Sequence, residues 1–429
     1  MNTTQTLIIG GGQAGLALSR CLTDRGHEHL VLERGRIAER WHSERWASLR
    51  LVTPNWMTRL PGHAYRGDDP DGFMTAAEVA EFFRGYASSF RAPVIEHSTV
   101  RRVTHDGDRF VVTTDHESVG LGSFTADNVV IATGWCDRPA IPAVAAHLSP
   151  TIHQVVPSAY RTPDDLPAGG VLVVGASATG VQLADELHRS GRPTTLAVGS
   201  HQRLPRRYRG MDTLWWLDLI GAFDRTIDDV DDVLTARREP SLQLVGRPDH
   251  RTIDLPALES VGVRLVGRMR SIDGHRVDLG TDLARVVSAA DQRQARLLQR
   301  IDHAIDRLVL GSELLDPEPV TRLASAGSPA SIDLKADGIT SVVWATGHRR
   351  AYDWLDLPIL EAGEIRQHRG VTPFPGAYVL GQRFQHHRNS NFIDGVGRDA
   401  EFVADHISIR TDRRDTSGLF ASTVHSPQK

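Results

Sequence analysis

The sequence predicts an α/β fold with two Rossmann-like, dinucleotide-binding units. A strand, a glycine-rich loop, a helix and a second strand follow one another in the first part of the chain, and the same succession returns at Val171–Val198. The residue that closes each unit differs: Glu33 in the first, Val198 in the second. The two units are therefore built for different ligands.

In the first unit Gln5–Ile9 reads as a short buried strand. Gln13–Arg25 puts Ala14, Leu18, Cys21 and Leu22 on one helical face, Gly26 stops that helix, and Glu28–Leu32 is the next strand. The loop between them, Gly10-Gly11-Gly12-Gln13-Ala14-Gly15, is a GxGxxG in the setting the motif requires. Gly10 makes the tight turn, Gly12 lets the backbone approach a pyrophosphate, and Gly15 lets the helix pack close to the strand. The helix N-terminus presents unpaired N–H groups to the phosphates. Glu33 is placed to accept hydrogen bonds from ribose hydroxyls. The loop by itself does not separate FAD from NAD.

In the second unit Val171–Val174 is a strand, Ala178–Ser190 a helix, Gly191 a stop and Thr194–Val198 a strand. Its loop, Gly175-Ala176-Ser177-Ala178-Thr179-Gly180, has Ser177 at the middle glycine position, with a hydroxyl able to donate to a phosphate. Counted from Gly180 as Glu33 is from Gly15, the acid position holds Val198, and Gly199-Ser200-His201 follows. A carboxylate there would repel a 2′-phosphate, so its absence favours NADPH over NADH. Arg203, Arg206, Arg207 and Arg209 come next, and a guanidinium binds phosphate through a fork of donors.

Between the units Val100–Val103, Arg109–Thr114 and Asn128–Ile131 read as strands, and Arg138–Gly170, rich in Pro and Ala, as a linker. After the second unit Asp282–Leu310 carries one apolar face of a long helix, which packs either within the second unit or at a dimer interface. Ser341–Ala345 and Tyr378–Leu380 are strands, Gly395–Ile409 a helix, and the chain from Arg410 a polar, loose tail.

Composition narrows the function classes. The 429 residues suffice for two or three domains, and 24% charged with 40% hydrophobic residues is ordinary for a globular protein. A net charge of −4 gives no basic field for nucleic acid, and no apolar run reaches the roughly 18 residues of a membrane helix. Cys21 and Cys136 form no CxxC, which argues against a redox dithiol or a metal cluster and for a reduced, cytoplasmic setting. His386 and His387 are adjacent, point different ways on any regular element, and have no carboxylate at ligand spacing, so no metal is expected there. Trp215-Trp216 reads as core.

The two loops in this order, the segments Ile131-Ala132-Thr133-Gly134 and Trp344-Ala345-Thr346-Gly347, and the late strand Gly376–Gly381 resemble the class B flavoprotein monooxygenases, the flavin-containing monooxygenases and their relatives, over roughly residues 5–405. The resemblance implies two three-layer ββα domains, with an NADPH domain (164–336) inserted into an FAD domain (1–163 and 337–412) and a tail at 413–429. It implies FAD contacts at Arg34, Trp41, Val103, Thr133, Gly134 and Gly381, a contact of Gln382 with the flavin or the substrate and of Asn391 with the flavin or NADP, and NADPH contacts at Ser177, Ala178, Thr179, Ser200, Arg203, Arg207, Thr346 and Gly347. It also brings Asn55, in Thr53-Pro54-Asn55-Trp56, to the flavin as a candidate catalytic residue.

The implied chemistry is hydride transfer from NADPH to FAD, formation of a flavin C4a-hydroperoxide with O2, and oxygenation of a small organic substrate. The family fingerprint FxGxxxHxxx(Y/F) keeps only Tyr160-Arg161; Pro150, Ile152 and Val156 occupy its other fixed positions, and His153 is out of register. Tyr160 stands where Baeyer–Villiger members carry Trp, which favours N- or S-oxygenation or hydroxylation. Arg40-Trp41 and Arg45-Trp46 lack the paired glycines of those enzymes. The degraded fingerprint keeps two alternatives open: a reductase passing electrons to a partner or quinone without oxygen transfer, and a redox sensor that uses nucleotide as a ligand.

Overall fold

Strand β1 (Asn2–Ile9) runs into the first glycine loop, helix α1 (Gln13–Asp24) follows, and β2 (His29–Leu32) returns parallel to β1. Helix α2 (Ala76–Ser89) was not anticipated. Its start is nonetheless written in the sequence as a capping box, with Thr75 accepting from the Glu78 N–H and Glu78 accepting from the Thr75 N–H. The parallel strand β3 (Val94–Ile95) pairs with β2, and an antiparallel meander β4 (Ser98–His105), β5 (Phe110–His116) and β6 (Gly120–Ile131) comes next. The computed structural model describes residues 2–116, 120–324 and 327–423.

The second unit begins at β7 (His153–Val155) and continues through β8 (Gly170–Val174), α3 (Ala178–Arg189), β9 (Thr194–Ala197), β10 (Arg264–Val266), the 26-residue helix α4 (Leu283–Leu308) and β11 (Ile339–Trp344). The chain then returns to the first unit with β12 (Ala377–Val379) and α5 (Val396–Thr423).

Two sheets organise these elements. The first is seven-stranded, in the order β3-β2-β1-β6-β5-β4, with β12 also paired to β6. The long β6 serves both halves of it: residues 120–126 pair with β5 in the meander, while residues 124–131 lie parallel to β1 and end with Ile131 opposite both Ile9 and Val379. The second sheet is five-stranded and wholly parallel, β7-β11-β8-β9-β10.

Central strands buried on both faces read as continuous apolar runs, and the alternation of side chains sorts those runs into layers. Ile8 and Val130 face helices α1, α2 and α5, while Leu7, Ile9, Val129 and Ile131 face a second layer that includes Tyr352, Leu355 and Ile359. The second unit repeats the plan: Val171, Val173, Leu196 and Val343 face α3, and Leu172, Val174 and Trp344 face the layer of Ile272, Val277 and Ile332. The expected α/β architecture of two nucleotide-binding layers, one inserted in the other, is the one found.

Its boundaries are not those expected. Strand β7 lies in the supposed linker and β11 beyond residue 336, yet both belong to the second sheet, so the inserted unit extends past 164–336 at both ends. The last helix continues to Thr423, well beyond Arg410 where a loose tail was expected; residues 424–429 lie outside the described residues. Helix α4 buries Val287, Leu298, Ile301 and Ile305 within the inserted unit, which settles where its apolar face goes. Trp216 is wholly buried and donates from its indole N–H to the Tyr208 carbonyl at 2.7 Å, a core residue as expected. Among the described residues no helix is long and apolar enough to cross a membrane.

Each glycine loop packs its helix against its strand with no room for a side chain at the last glycine. A Cβ on Gly15 would fall 1.9 Å from the Gly10 carbonyl oxygen, and one on Gly180 would fall 1.7 Å from that of Gly175. At Gly12 a Cβ would meet nothing within 4 Å, and the backbone there is extended. Gly15→Ala and Gly180→Ala are therefore expected to destabilise the fold by ~1–3 kcal/mol each. Gly12→Ala is expected to stay within about 0.5 kcal/mol. Thermal denaturation of the three variants checks this, and equal losses would contradict it.

Candidate functional site

The first glycine of each loop is held by the carbonyl of an Ala-Thr-Gly segment. Gly10 has φ +114°, and a Cβ on it would stand 2.6 Å from the oxygen of Ala132; Gly175 has φ +108°, and a Cβ on it would stand 2.4 Å from the oxygen of Ala345. Only glycine tolerates both the turn and the approach. The Ala-Thr-Gly segments thus form the back wall on which each loop rests. The N-cap residues Gly12 and Ser177 carry no side-chain cap, so the N–H groups of the first turns of α1 and α3 are left for a ligand.

Glu33 is 8% exposed and does more than the sequence suggested. Its Oε2 accepts from the Gly11 N–H at 2.6 Å and its Oε1 from the Gly35 N–H at 3.0 Å. The carboxylate braces the loop from behind while still lining the cavity. Gln13 Nε2 donates to the Asn391 carbonyl at 2.7 Å, which ties the first loop to the segment after β12.

Both loops open into one cavity of about 2110 Å³. Pockets for single small ligands commonly measure about 300–1,000 Å³, so this one has room for two dinucleotides. Gly10, Gly12, Gln13, Ala14, Glu33, Arg34, Trp41, Thr133, Gly134, Gly381 and Asn391 line it from the first unit, and Gly175, Ser177, Ala178, Thr179, Ser200, Thr346 and Gly347 line it from the second side. Gly15 and Gly180 serve packing behind the loops. Within the cavity lining the Arg45 guanidinium lies 5.1 Å from the Trp41 ring centroid, and Arg40 pairs with Asp137 at 2.8 Å.

Five expected contacts are elsewhere. Val103 is fully buried in the core, and its backbone is spent on Trp354 and Asp356; Ser98–Arg101, earlier on the same strand, line the cavity instead. Asn55 is 4% exposed, donates to the Asp69 carbonyl and accepts from the Met74 N–H, both at 2.9 Å, so it staples the 69–74 turn and does not reach the cavity. Gln382 turns away to accept from Arg350 Nε at 2.8 Å.

Arg203 is buried between Asp254 at 2.6 Å and Asp291 at 2.7 Å, a structural ion triad. Arg207 is exposed and outside the cavity lining. The neighbouring Arg206 and Arg209 are likewise paired, with Asp212 and Asp302.

Among the cations that line the cavity from the inserted unit, Arg268 and Arg270 follow just after β10. Arg268 donates to Ser200 Oγ at 3.0 Å, and its Nε lies 3.3 Å from where a Cβ on Gly199 would be. It occupies the region that an acid at Val198 would have dominated. Sequence reasoning missed it because β10 reaches the end of β9 through sheet pairing, with no local motif to announce it.

The surviving fingerprint residue Tyr160 is buried and donates to Glu186 Oε1 at 3.3 Å, while Ser48 donates to Glu186 Oε2 at 2.6 Å. Burial raises the pKa of this Glu186 carboxyl, which sits on α3. Glu186 thus joins Tyr160 of its own unit to Ser48 of the first. Cys136 lines the cavity and Cys21 faces the core from α1; both are free. Burial pushes the Cys21 thiol up to about 12 and that of Cys136 up to about 11.

Residues 7–210 match the family described as pyridine nucleotide-disulphide oxidoreductase. Over 407 residues the chain is 30% identical to an uncharacterized CzcO-like oxidoreductase of Geobacillus kaustophilus, a match covering 94% of this chain and 97% of that one. The chain belongs to the CzcO-like oxidoreductases. It is 29% identical over 211 residues to YUCCA1 of Arabidopsis thaliana, a probable indole-3-pyruvate monooxygenase, across 48% of this chain and 50% of that protein. A flavin-containing monooxygenase from Stenotrophomonas maltophilia shares the fold with a TM-score of 0.65 at 18% identity, covering 95% of this chain and 99% of that one. These likenesses bear out the expected fold and the oxidoreductase class.

Two outcomes follow from the corrected geometry. Arg203→Ala leaves Asp254 and Asp291 without their cation and is expected to lower stability by ~3–5 kcal/mol, read by denaturant unfolding, with no discrimination between NADPH and NADH. A thiol at about 11 is neutral below that pH, so alkylation of native Cys136 near pH 8 is expected to be about a hundredfold slower than for a free cysteine, and to accelerate as pH rises toward 11. Mass-spectrometric labelling rates check this; fast labelling at neutral pH would contradict it.

Proposed function

We propose that the chain is an NADPH-dependent flavoprotein monooxygenase that oxygenates a small organic substrate by N- or S-oxygenation or hydroxylation. The observation that carries this reading is the shared cavity, where the two glycine loops face one space of about 2110 Å³. Two cofactors seated there react without either leaving. When bound, FAD supplies hydride acceptance from NADPH and the activation of O2.

The chain's own part is binding, orientation and exclusion of water. The N–H groups at the start of α1 take one pyrophosphate and those at the start of α3 the other. Glu33 takes the ribose of the first nucleotide. Arg268, with Ser200, takes the 2′-phosphate of the second through charge-assisted hydrogen bonds. The substrate end of the cavity is apolar: Leu214, Leu217, Phe223, Leu297 and Phe392 line it, with the Phe223 and Phe392 rings 5.8 Å apart. Such a wall excludes water from the reacting centre and favours an apolar substrate body. The cavity thiol, Cys136, is held protonated, which disfavours a disulfide-reductase reading.

One observation keeps the reductase alternative in view. The retained fingerprint tyrosine is committed to Glu186, so the fingerprint adds nothing at the cavity. Anaerobic reduction by NADPH followed by oxygen separates the two readings. A long-lived absorbing species on reoxidation, with NADPH consumption rising when substrate is present, supports oxygenation. Single-step reoxidation with stoichiometric peroxide would favour the reductase. Arg268→Ala is expected to raise KM for NADPH by ~10–100-fold while leaving that for NADH nearly unchanged. Equal effects on the two coenzymes would remove the phosphate assignment.

A further inference from the structure

Away from the glycine loops, the segment after β12 and the start of α5 bring together two imidazoles and a carboxylate. The ligand atoms of His386, His387 and Asp399 all lie within 4.8 Å of one another. The sequence argued against a metal here on two grounds, divergent histidines and no carboxylate at ligand spacing. The structure removes both. The segment is irregular, and the two rings turn so that their Nδ1 atoms are 3.1 Å apart. The carboxylate comes from the first turn of a helix twelve residues on from His387, with Asp399 Oδ1 3.6 Å from His387 Nδ1.

We propose that His386 Nδ1, His387 Nδ1 and Asp399 form a site for a tetrahedral divalent cation of the zinc type, with a water as fourth ligand. A tetrahedron with metal–ligand bonds of 2.0–2.1 Å has ligand–ligand edges of about 3.3 Å. The two edges through His387 Nδ1, 3.1 and 3.6 Å, bracket that value, and the third is within 4.8 Å. Two imidazoles and one carboxylate are a donor set suited to such an ion.

Asp399 supplies an independent sign. It is 3% exposed, and its Oδ2 is buried without a hydrogen-bond partner. The helix N-terminus eases a negative charge there, but a buried carboxylate oxygen left unbonded calls for a cation or a donor. Asp228 completes the arrangement. Its Oδ2 lies 3.9 Å from His386 Nε2, on the side of the ring away from the cluster, where its charge favours a proton on Nε2 and so leaves Nδ1 free for a metal.

The segment is also set in place beforehand. Ser390 Oγ accepts from the N–H groups of His386 and His387 at 3.1 and 2.9 Å, and the His386 carbonyl accepts from the Ile227 N–H at 2.8 Å. Ile227 and Asp228 belong to the inserted unit, whereas His386, His387 and Asp399 belong to the returning part of the first. The ion ties the segment that leads to Asn391 and Phe392 in the cavity wall to the first turn of α5, beside a turn of the inserted unit. The role is structural, at the seam between the two units, and independent of the oxygenation reading.

Tag-free, full-length protein carrying its flavin is stripped with a chelator and titrated with Zn2+ and, separately, Co2+. One equivalent of Zn2+ per chain and a rise in Tm are expected, and Co2+ should give the strong visible absorption of a four-coordinate site. His387→Gln and Asp399→Asn should lose that equivalent and the Tm response. Asp228→Asn should bind ~10–100-fold more weakly with the stoichiometry unchanged. Should Asp399→Asn fail to fold, His387→Gln still decides, because the ring it replaces is partly exposed. The proposal is overturned if wild type and His387→Gln take up Zn2+ alike, if Tm is insensitive to Zn2+, or if Co2+ shows only weak six-coordinate absorption.

Discussion

A backbone carbonyl pressed against a glycine is the contact on which both halves of this molecule depend. At Gly10 the partner is Ala132 and at Gly175 it is Ala345. In each case the carbonyl comes from the end of the strand beside the one that feeds the loop. The contact fixes where the loop turns, and through the last glycine of each motif it fixes how closely the following helix approaches. The free N–H groups of that helix then point into the cavity. Strand order, loop path and ligand direction are therefore one constraint, met twice in the same chain.

Because both loops obey it, the two sites face each other across the seam, and the chemistry of the seam is left to a few side chains. Glu33 illustrates the economy of this arrangement, since the carboxylate that suits a ribose also braces the loop through the Gly11 and Gly35 N–H groups. The arginines after Val198 show the converse. Three of the four are drawn into ion pairs with Asp254 and Asp291, Asp212, and Asp302. A guanidinium with nearby carboxylates in its own domain is structural before it is a phosphate ligand.

Those cases mark how far the residues could be read in advance. Both strand–loop–helix–strand units, the insertion and most of the loop residues that line the cavity were legible, because a GxGxxG places its own backbone and the periodicity around it is local. The departures share a physical cause. Val103, Asn55 and Gln382 were assigned by position along the chain, but their bonding is decided by partners at Trp354, Asp69 and Arg350, which sequence spacing does not reveal. Arg268 was invisible for the same reason, since a neighbouring strand delivers it. The pairing of His386 and His387 escaped because adjacent residues diverge only on regular elements, and this segment is irregular. Helix α2 is different: its Thr75–Glu78 capping box could have been found from the sequence.

The short strand β12 has a consequence for the order in which the molecule can be made. It lies parallel to β6, whose residues it meets only after the whole inserted unit has intervened. The strands of the second sheet fall between residues 153 and 344, so that sheet can close while the chain is still emerging from the ribosome. The first sheet cannot. Its last strand, and the helix α5 that covers it, arrive only after the whole inserted unit and must bridge a large loop. Until then the β6 edge that later receives β12 stands unpaired, so the first unit is completed only after the unit inserted in it.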